Sequence, residues 1–282
     1  MTAKLESRVL LRGLAIGESP RWHEDRLWFS HWGADEFVAV DLDGDSEVVA
    51  PGPPALGWAT DWLPDGRRLV TGAQLMREEF DGTLVVHADL SDLSDRGWSE
   101  ITVDGRGNIY VNSINFDFLG GGSPKDGLIA LVRPDGSAQQ VADGIAFPNG
   151  MVVTPDNTTL IVSESFTGNL LAYDIAADGR LSNRRVWASG IGPDGICLDA
   201  DGAIWTSSRT HTVGRVREGG EILEEVEIDR DPFACMLGGP DGTTLFILAA
   251  EWLGTDKVDA ALAARTGQVL AVDAPAPKAG WP

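Results

Sequence analysis

Six positions in this chain obey one spacing rule, and three of them carry oxygen donors. Asn149 stands seven residues ahead of Asp156, which opens a turn before the apolar run Thr159 to Ser163. Asp194 stands seven ahead of Asp201, which precedes Ala203 to Thr206 in the same way. Counting back seven from the comparable turns at Asp25, Asp65, Arg106 and Asp241 adds Glu18, Trp58, Ser99 and Ala234, so the six lie 40 to 50 residues apart. Two carboxylates and an amide carbonyl from three separate repeats form a donor set suited to a hard divalent cation, with coordination positions left for water and substrate. Carboxylates that converge repel one another, and a cation between them relieves the repulsion. Each residue singly is an ordinary strand or turn former. Recurrence at one register is what points to chemistry.

The elements that must position these residues are short strands bounded by Gly, Asp, Asn and Pro, with helical periodicity only at Asp256 to Arg265. Repeats of 40 to 50 residues with four strands each predict an all-β, six-bladed β-propeller occupying residues 1–282 as one domain. The sixth repeat is one strand short, whereas Val9 to Leu11 is a strand with no neighbour in sequence. The N-terminal strand is therefore expected to pair with the last blade and close the ring, since an open ring leaves blade faces uncovered. Blade two is expected to run through 58–63, 68–71, 83–87 and a short segment near Leu90. Residues two and four beyond each register position are mostly apolar, which predicts blade-to-blade packing by that strand face.

In such a ring the register residues encircle one mouth of the central channel. The loops leaving each second strand surround the same opening: 31–32, 74–79, 113–125, 164–167, 209–211 and 250–266. Candidate substrate contacts are Trp58, Ser99 and Glu100 at the inner strands, and Trp32, Arg209 and His211 in the loops. Trp98, Phe116 and Phe118 are further wall candidates. His31 or His211 could move protons, and Arg209 could hold a carboxylate. Gly120 to Gly122 would let the longest mid-chain loop act as a lid. The helical segment is expected to cover the mouth or its rim.

Net charge is −21, which argues against nucleic acid or an anionic membrane as partner, because both need clustered Lys and Arg. No apolar run approaches the ~20 residues that span a bilayer, and the N-terminal residues lack a signal-peptide pattern, so the expectation is a soluble, cytoplasmic protein with a small-molecule substrate. Cys197 and Cys235 lie in apolar strands and read as buried free thiols. Nothing here fixes the oligomeric state.

Three motifs give the sequence a family likeness: Gly17-Glu18-Ser19-Pro20-Arg21-Trp22, Pro148-Asn149-Gly150-Met151 with Pro155-Asp156, and Pro193-Asp194-Gly195-Ile196. Over nearly its whole length the chain resembles the senescence-marker-protein (regucalcin), gluconolactonase and luciferin-regenerating-enzyme-like family of six-bladed propellers. The resemblance implies one divalent metal ion held by Glu18, Asn149 and Asp194, with Asp194 also the catalytic base. Calcium is the first expectation; magnesium, manganese and zinc are the others. It implies lactone hydrolysis, with phosphoester or phosphofluoridate hydrolysis at the same site as one alternative and a non-catalytic, small-molecule-binding propeller as another. One motif departs. Ser99-Glu100 stands where the family commonly has Asn-Asp, and Gly97 stands where an arginine often binds sugar hydroxyls. That departure weighs against a sugar-acid lactone more than against the metal.

Overall fold

The structure is a computed structural model and describes residues 3–208 and 211–282. Its strands form six sheets arranged as the blades of a β-propeller, antiparallel except where Ala3–Lys4 pairs parallel with Ile222–Glu227. From the axis outward, blade one is Ile16–His23, Arg26–Trp32, Glu36–Val40 and Ser46–Pro51, and blade four is Pro148–Val153, Thr159–Glu164, Asn169–Ile175 and Leu181–Ala188. Blades three and five follow the same plan, with inner strands Ile101–Val103 and Pro193–Asp199. The turns at the end away from the mouth are built by aspartates that accept from backbone amides two and four residues on. Asp104 Oδ1, for example, takes the amides of Arg106 and Asn108, both at 2.8 Å.

Ring closure uses both parts of the chain that the missing strand required. Ser7–Leu14 pairs antiparallel with Gly267–Asp273 and forms the outer edge of blade six. Between blades, apolar faces interlock: Tyr110, Ile129 and Leu131 of blade three meet Met151, Val153 and Leu160 of blade four. Near the axis the inner strands approach so closely that only glycine fits. A Cβ on Gly150 would lie 2.7 Å from the Ile196 amide, and one on Gly195 would lie 2.6 Å from Ala234 Cα.

Blade two differs from expectation. Its third strand is Leu75–Glu78, in a segment expected to be a mouth loop, and Leu84–Ala88 is the fourth strand; nothing near Leu90 is strand. The polar run Arg77-Glu78-Glu79 hid it. Those side chains do not face a core; they form ion pairs, Arg68–Glu78 at 2.7 Å and Arg67–Glu79 at 3.1 Å.

Two features lay outside the repeat pattern. Ala3–Lys4 and Lys278–Ala279 add a strand to each edge of blade five. The C-terminal segment crosses the turn end of the inner strands: Trp281 exchanges backbone hydrogen bonds with Val153, and Lys278 N donates to Gly242 O at 2.9 Å. At the other end, the helix Val258–Ala264 rests on the blade-one loop. A Cβ on Gly33 would lie 2.7 Å from Leu262 Cδ2.

Candidate functional site

The inner strands do not run as uninterrupted pleats into the mouth. The ladder slips between Pro148 and Met151, between Pro193 and Ile196, and between Glu18 and Arg21. In blade three, Ser99 N donates to Asn112 O and Asn112 N to Glu100 O, so that two residues there also oppose one. A bulge bends the strand and re-aims the side chains it carries. Period-two alternation therefore stops at the register residues, and Asn149 and Asp194 sit inside the bulges. Blade six needs a correction. Its bulge falls at Phe233, and Phe233 follows Pro232 just as Asn149 follows Pro148 and Asp194 follows Pro193. The sixth register residue is Phe233, one place ahead of Ala234. The preceding proline was the available signal.

Asn149 donates its side-chain amide to Asp194 Oδ1 across the junction of blades four and five. Glu18, in blade one, is buried, and its Oε2 accepts from the Ser19 amide at 2.7 Å; Ser19 itself is left-handed, at φ 50°. Burial holds the Glu18 carboxyl well above the usual range, and the charges of Asp194 and then Glu100 push it further the same way. The three residues are thus brought together at the axis, Glu18 and Asp194 as mutually repelling acids and Asn149 bonded to one of them.

Glu100 lies beside them, also buried, with Oε2 accepting from Ser19 Oγ at 3.3 Å. Burial raises its pKa, and the Arg21 guanidinium opposes that. Arg21 donates to the carbonyls of Pro20 at 2.8 Å and Ile101 at 2.6 Å, while its buried Nε has no hydrogen-bond partner. These groups line a cavity of about 10 Å³, roughly one water in size. A larger cleft of about 260 Å³ opens at the turn end of blades four and five, beside Thr154, Asp199 and Ala279, away from the register residues. Chemistry belongs at the mouth, where the carboxylates are.

The remaining expected contacts divide. Ser99 is half-buried, its carbonyl accepting from Thr71 Oγ1 at 2.5 Å. Trp58 is fully buried among Trp28, Phe37 and Val70, because the adjoining blade faces need a large apolar filler there; it does not line the mouth. Trp98 is likewise core between blades two and three. Trp32 is half-buried and donates to the Trp58 carbonyl at 2.9 Å. His31 is buried, its Nε2 accepting from the Ala15 amide at 2.9 Å and its Nδ1 3.0 Å from Glu36, so both ring nitrogens are taken up by structural partners. His211 is half-exposed and pairs with Asp231 at 3.3 Å. Arg209 lies outside the described residues. Cys197 and Cys235 are buried free thiols with their sulfurs 4.0 Å apart.

Two features were missed. Asn112, fully buried, donates to the Asn149 carbonyl at 2.8 Å and accepts from the Glu100 amide at 3.2 Å, fixing both bulges at once. Phe116 and Phe118 do not stand alone; they gather with Phe147 and Phe166. Phe147 lies two residues ahead of Asn149, at φ 64°.

The profile of the SMP-30/Gluconolactonase/LRE-like region matches residues 16–251. The chain belongs to that family. Regucalcin of Xenopus laevis is 33% identical over 136 residues, which is 44% of this chain and 44% of that protein, so the chain matches less than half the length of this relative. Diisopropyl-fluorophosphatase of Loligo vulgaris is 26% identical over 77% of this chain and 78% of its own length. Pentonolactonase XacC of Haloferax volcanii is 23% identical over 86% and 84%. Among solved structures, a luciferin-regenerating enzyme superposes with a TM-score of 0.80 at 18% identity, covering 98% of each chain. A calcium-binding regucalcin from Agrobacterium tumefaciens gives 0.77 at 22%, again covering 98% of each. The likeness in structure is one of fold.

Proposed function

We propose that this protein is a hydrolase that opens a lactone at the channel mouth, with Asp194 as its general base and a divalent cation held by Glu18, Asn149 and Asp194. The observation that carries the reading is the placement of a buried Glu18 carboxylate within the field of Asp194, with the Asn149 amide on the same aspartate. The donors are two carboxylates, Glu18 and Asp194, and the side-chain amide oxygen of Asn149, so the set is all oxygen. Such a set fits a hard cation, calcium first and magnesium or manganese next; zinc more often takes nitrogen or sulfur. When bound, the cation would supply Lewis-acid polarisation of the ester carbonyl and stabilise the negative charge that develops there.

The chain's own residues do the rest. Asp194 takes a proton from water as the water oxygen bonds to the carbonyl carbon. The ring C–O bond then breaks, and Asp194 returns the proton to the departing oxygen, leaving a hydroxy acid. Asn149 holds the Asp194 carboxylate in one orientation. Its own backbone is fixed by Asn112.

The names of the relatives support a hydrolase of this kind, one a pentonolactonase and another a diisopropyl-fluorophosphatase. The second name keeps a phosphorus ester as the rival substrate at the same site. A panel of lactones and phosphotriesters, run with the calcium-loaded protein and with Asp194→Ala, separates them. Lactone turnover lost in Asp194→Ala is expected. Full lactone turnover in that variant would overturn the assignment of the base, and turnover of phosphotriesters alone would overturn the substrate class.

A further inference from the structure

Four phenylalanines from three successive mouth segments touch one another beside Asn149. Phe147 stacks on Phe166 with ring centres 4.6 Å apart and meets Phe118 edge-on at 4.9 Å; Phe116 packs beneath at 6.0 Å from Phe147. Phe116 is buried, whereas Phe166 is 42% exposed, so the group presents apolar surface at the mouth and is not closed core.

This shelf is held in place. The buried Glu164 carboxylate accepts from the Ala146 amide at 3.1 Å, from Thr167 Oγ1, from Asn169 Nδ2 at 3.3 Å and from Arg184 Nη2 at 3.0 Å. Ser165, next to Phe166, donates its amide to the Phe147 carbonyl at 3.1 Å and its hydroxyl to the Pro193 carbonyl at 2.8 Å. Pro193 precedes Asp194. The shelf is therefore tied by one short set of hydrogen bonds to Phe147, two residues ahead of Asn149, and to Pro193, one residue ahead of Asp194. Phe147 stands two residues ahead of Asn149, a stretch of chain that spans at most about 7 Å. A substituent of four to six carbons on a ring held beside Asn149 reaches about that far.

We infer that the Phe147–Phe166 shelf is the subsite for an apolar substituent of the substrate, so that the cyclic ester opened here carries an alkyl or aryl group in place of a hydroxylated chain. This rests on the reading of the site as a lactonase. The segment ahead of the blade-three inner strand agrees with it. Gly97 has no side chain to bind a hydroxyl, and a Cβ there would lie 3.0 Å from the Gly72 carbonyl. Burial of a methylene on aromatic surface changes binding about two- to fourfold.

The test uses the full-length protein with calcium, a series of γ-alkyl lactones of increasing chain length, and hydroxylated five- and six-membered lactones for comparison. kcat/KM is expected to rise about two- to fourfold per methylene until the shelf is covered. Phe166→Ala should flatten that rise, and Phe166→Leu should restore most of it. A rate that is indifferent to chain length, a preference for hydroxylated rings, or a slope unchanged in Phe166→Ala would overturn the subsite. Binding of γ-alkyl lactams, which the site does not open, gives a readout apart from turnover. Lactam affinity that rises with chain length in wild type and not in Phe166→Ala supports the shelf even if no lactone is opened, in which case the lactonase reading fails and the subsite stands. Lactam affinity indifferent to chain length overturns the subsite alone.

Discussion

Asn149 holds Asp194 through its side chain while its own backbone carbonyl is held by Asn112. Blades three, four and five are joined at one point of the channel mouth by those two contacts. The site is thereby built from bulges whose geometry is enforced by a buried amide, and the order of its residues depends on Asn112 although Asn112 would touch no substrate.

Asn112→Leu should expose that dependence. It leaves the Asn149 carbonyl and the Glu100 amide without their partner, a loss of about 1–3 kcal/mol for each buried group. Cation affinity should fall about tenfold or more with kcat, while the far-ultraviolet spectrum of the folded fraction stays that of wild type. Unchanged calcium affinity and kcat in a destabilised variant would assign Asn112 to stability alone.

His31 carries a pH signature of the fold. Burial lowers its pKa, with Glu36 opposing. A histidine depressed in the fold stays neutral there while the unfolded chain takes up a proton. Its stabilisation is complete above about pH 6.5 and is lost as pH falls through the folded-state value. Urea unfolding at about pH 7.5 and about pH 5 should give a smaller acid loss for His31→Phe than for wild type. The same variant should be about 1–3 kcal/mol less stable at the higher pH, because the Ala15 amide loses its acceptor. Equal pH dependence in the two proteins would contradict this.

Gly195 is required by space and not by backbone angle. A Cβ there would lie 2.6 Å from Ala234 Cα and 3.1 Å from the Phe233 carbonyl, both in the neighbouring inner strand. Backbone atoms do not swing away as a side chain can. Gly195→Ala should cost about 1–3 kcal/mol and move Asp194, lowering both the melting temperature and turnover. A variant with wild-type melting temperature would show that the inner strands are less tightly set than this.

The ring was legible because its signals are local. Turn aspartates, apolar strands and a repeat of one length are read from sequence alone, and the vacancy in blade six called for the strand at Ser7–Leu14. Glu18, Asn149 and Asp194 could be brought to one mouth for the same reason. What failed was finer than the repeat. Bulges interrupt the two-residue alternation, which put Ala234 where Phe233 belongs. The strand Leu75–Glu78 looked like a loop because only Leu75 enters the core, while Arg77 and Glu78 sit in ion pairs. Trp58 holds a register position yet turns into the blade interface, since a backbone position does not fix where a large ring finds space. Contacts such as Asn112 to Asn149 join residues 37 apart in sequence and leave no periodic trace.

Lactone turnover measured against free calcium, after exhaustive chelation of the full-length protein, tests the central claim most directly. Loss of turnover on chelation, saturable recovery on adding calcium, and a failure of Glu18→Gln to recover at the same concentration are the expected results. Full turnover by the chelated protein, or recovery by Glu18→Gln at the wild-type calcium concentration, would contradict the account of Glu18, Asn149 and Asp194 as the holders of a catalytic cation.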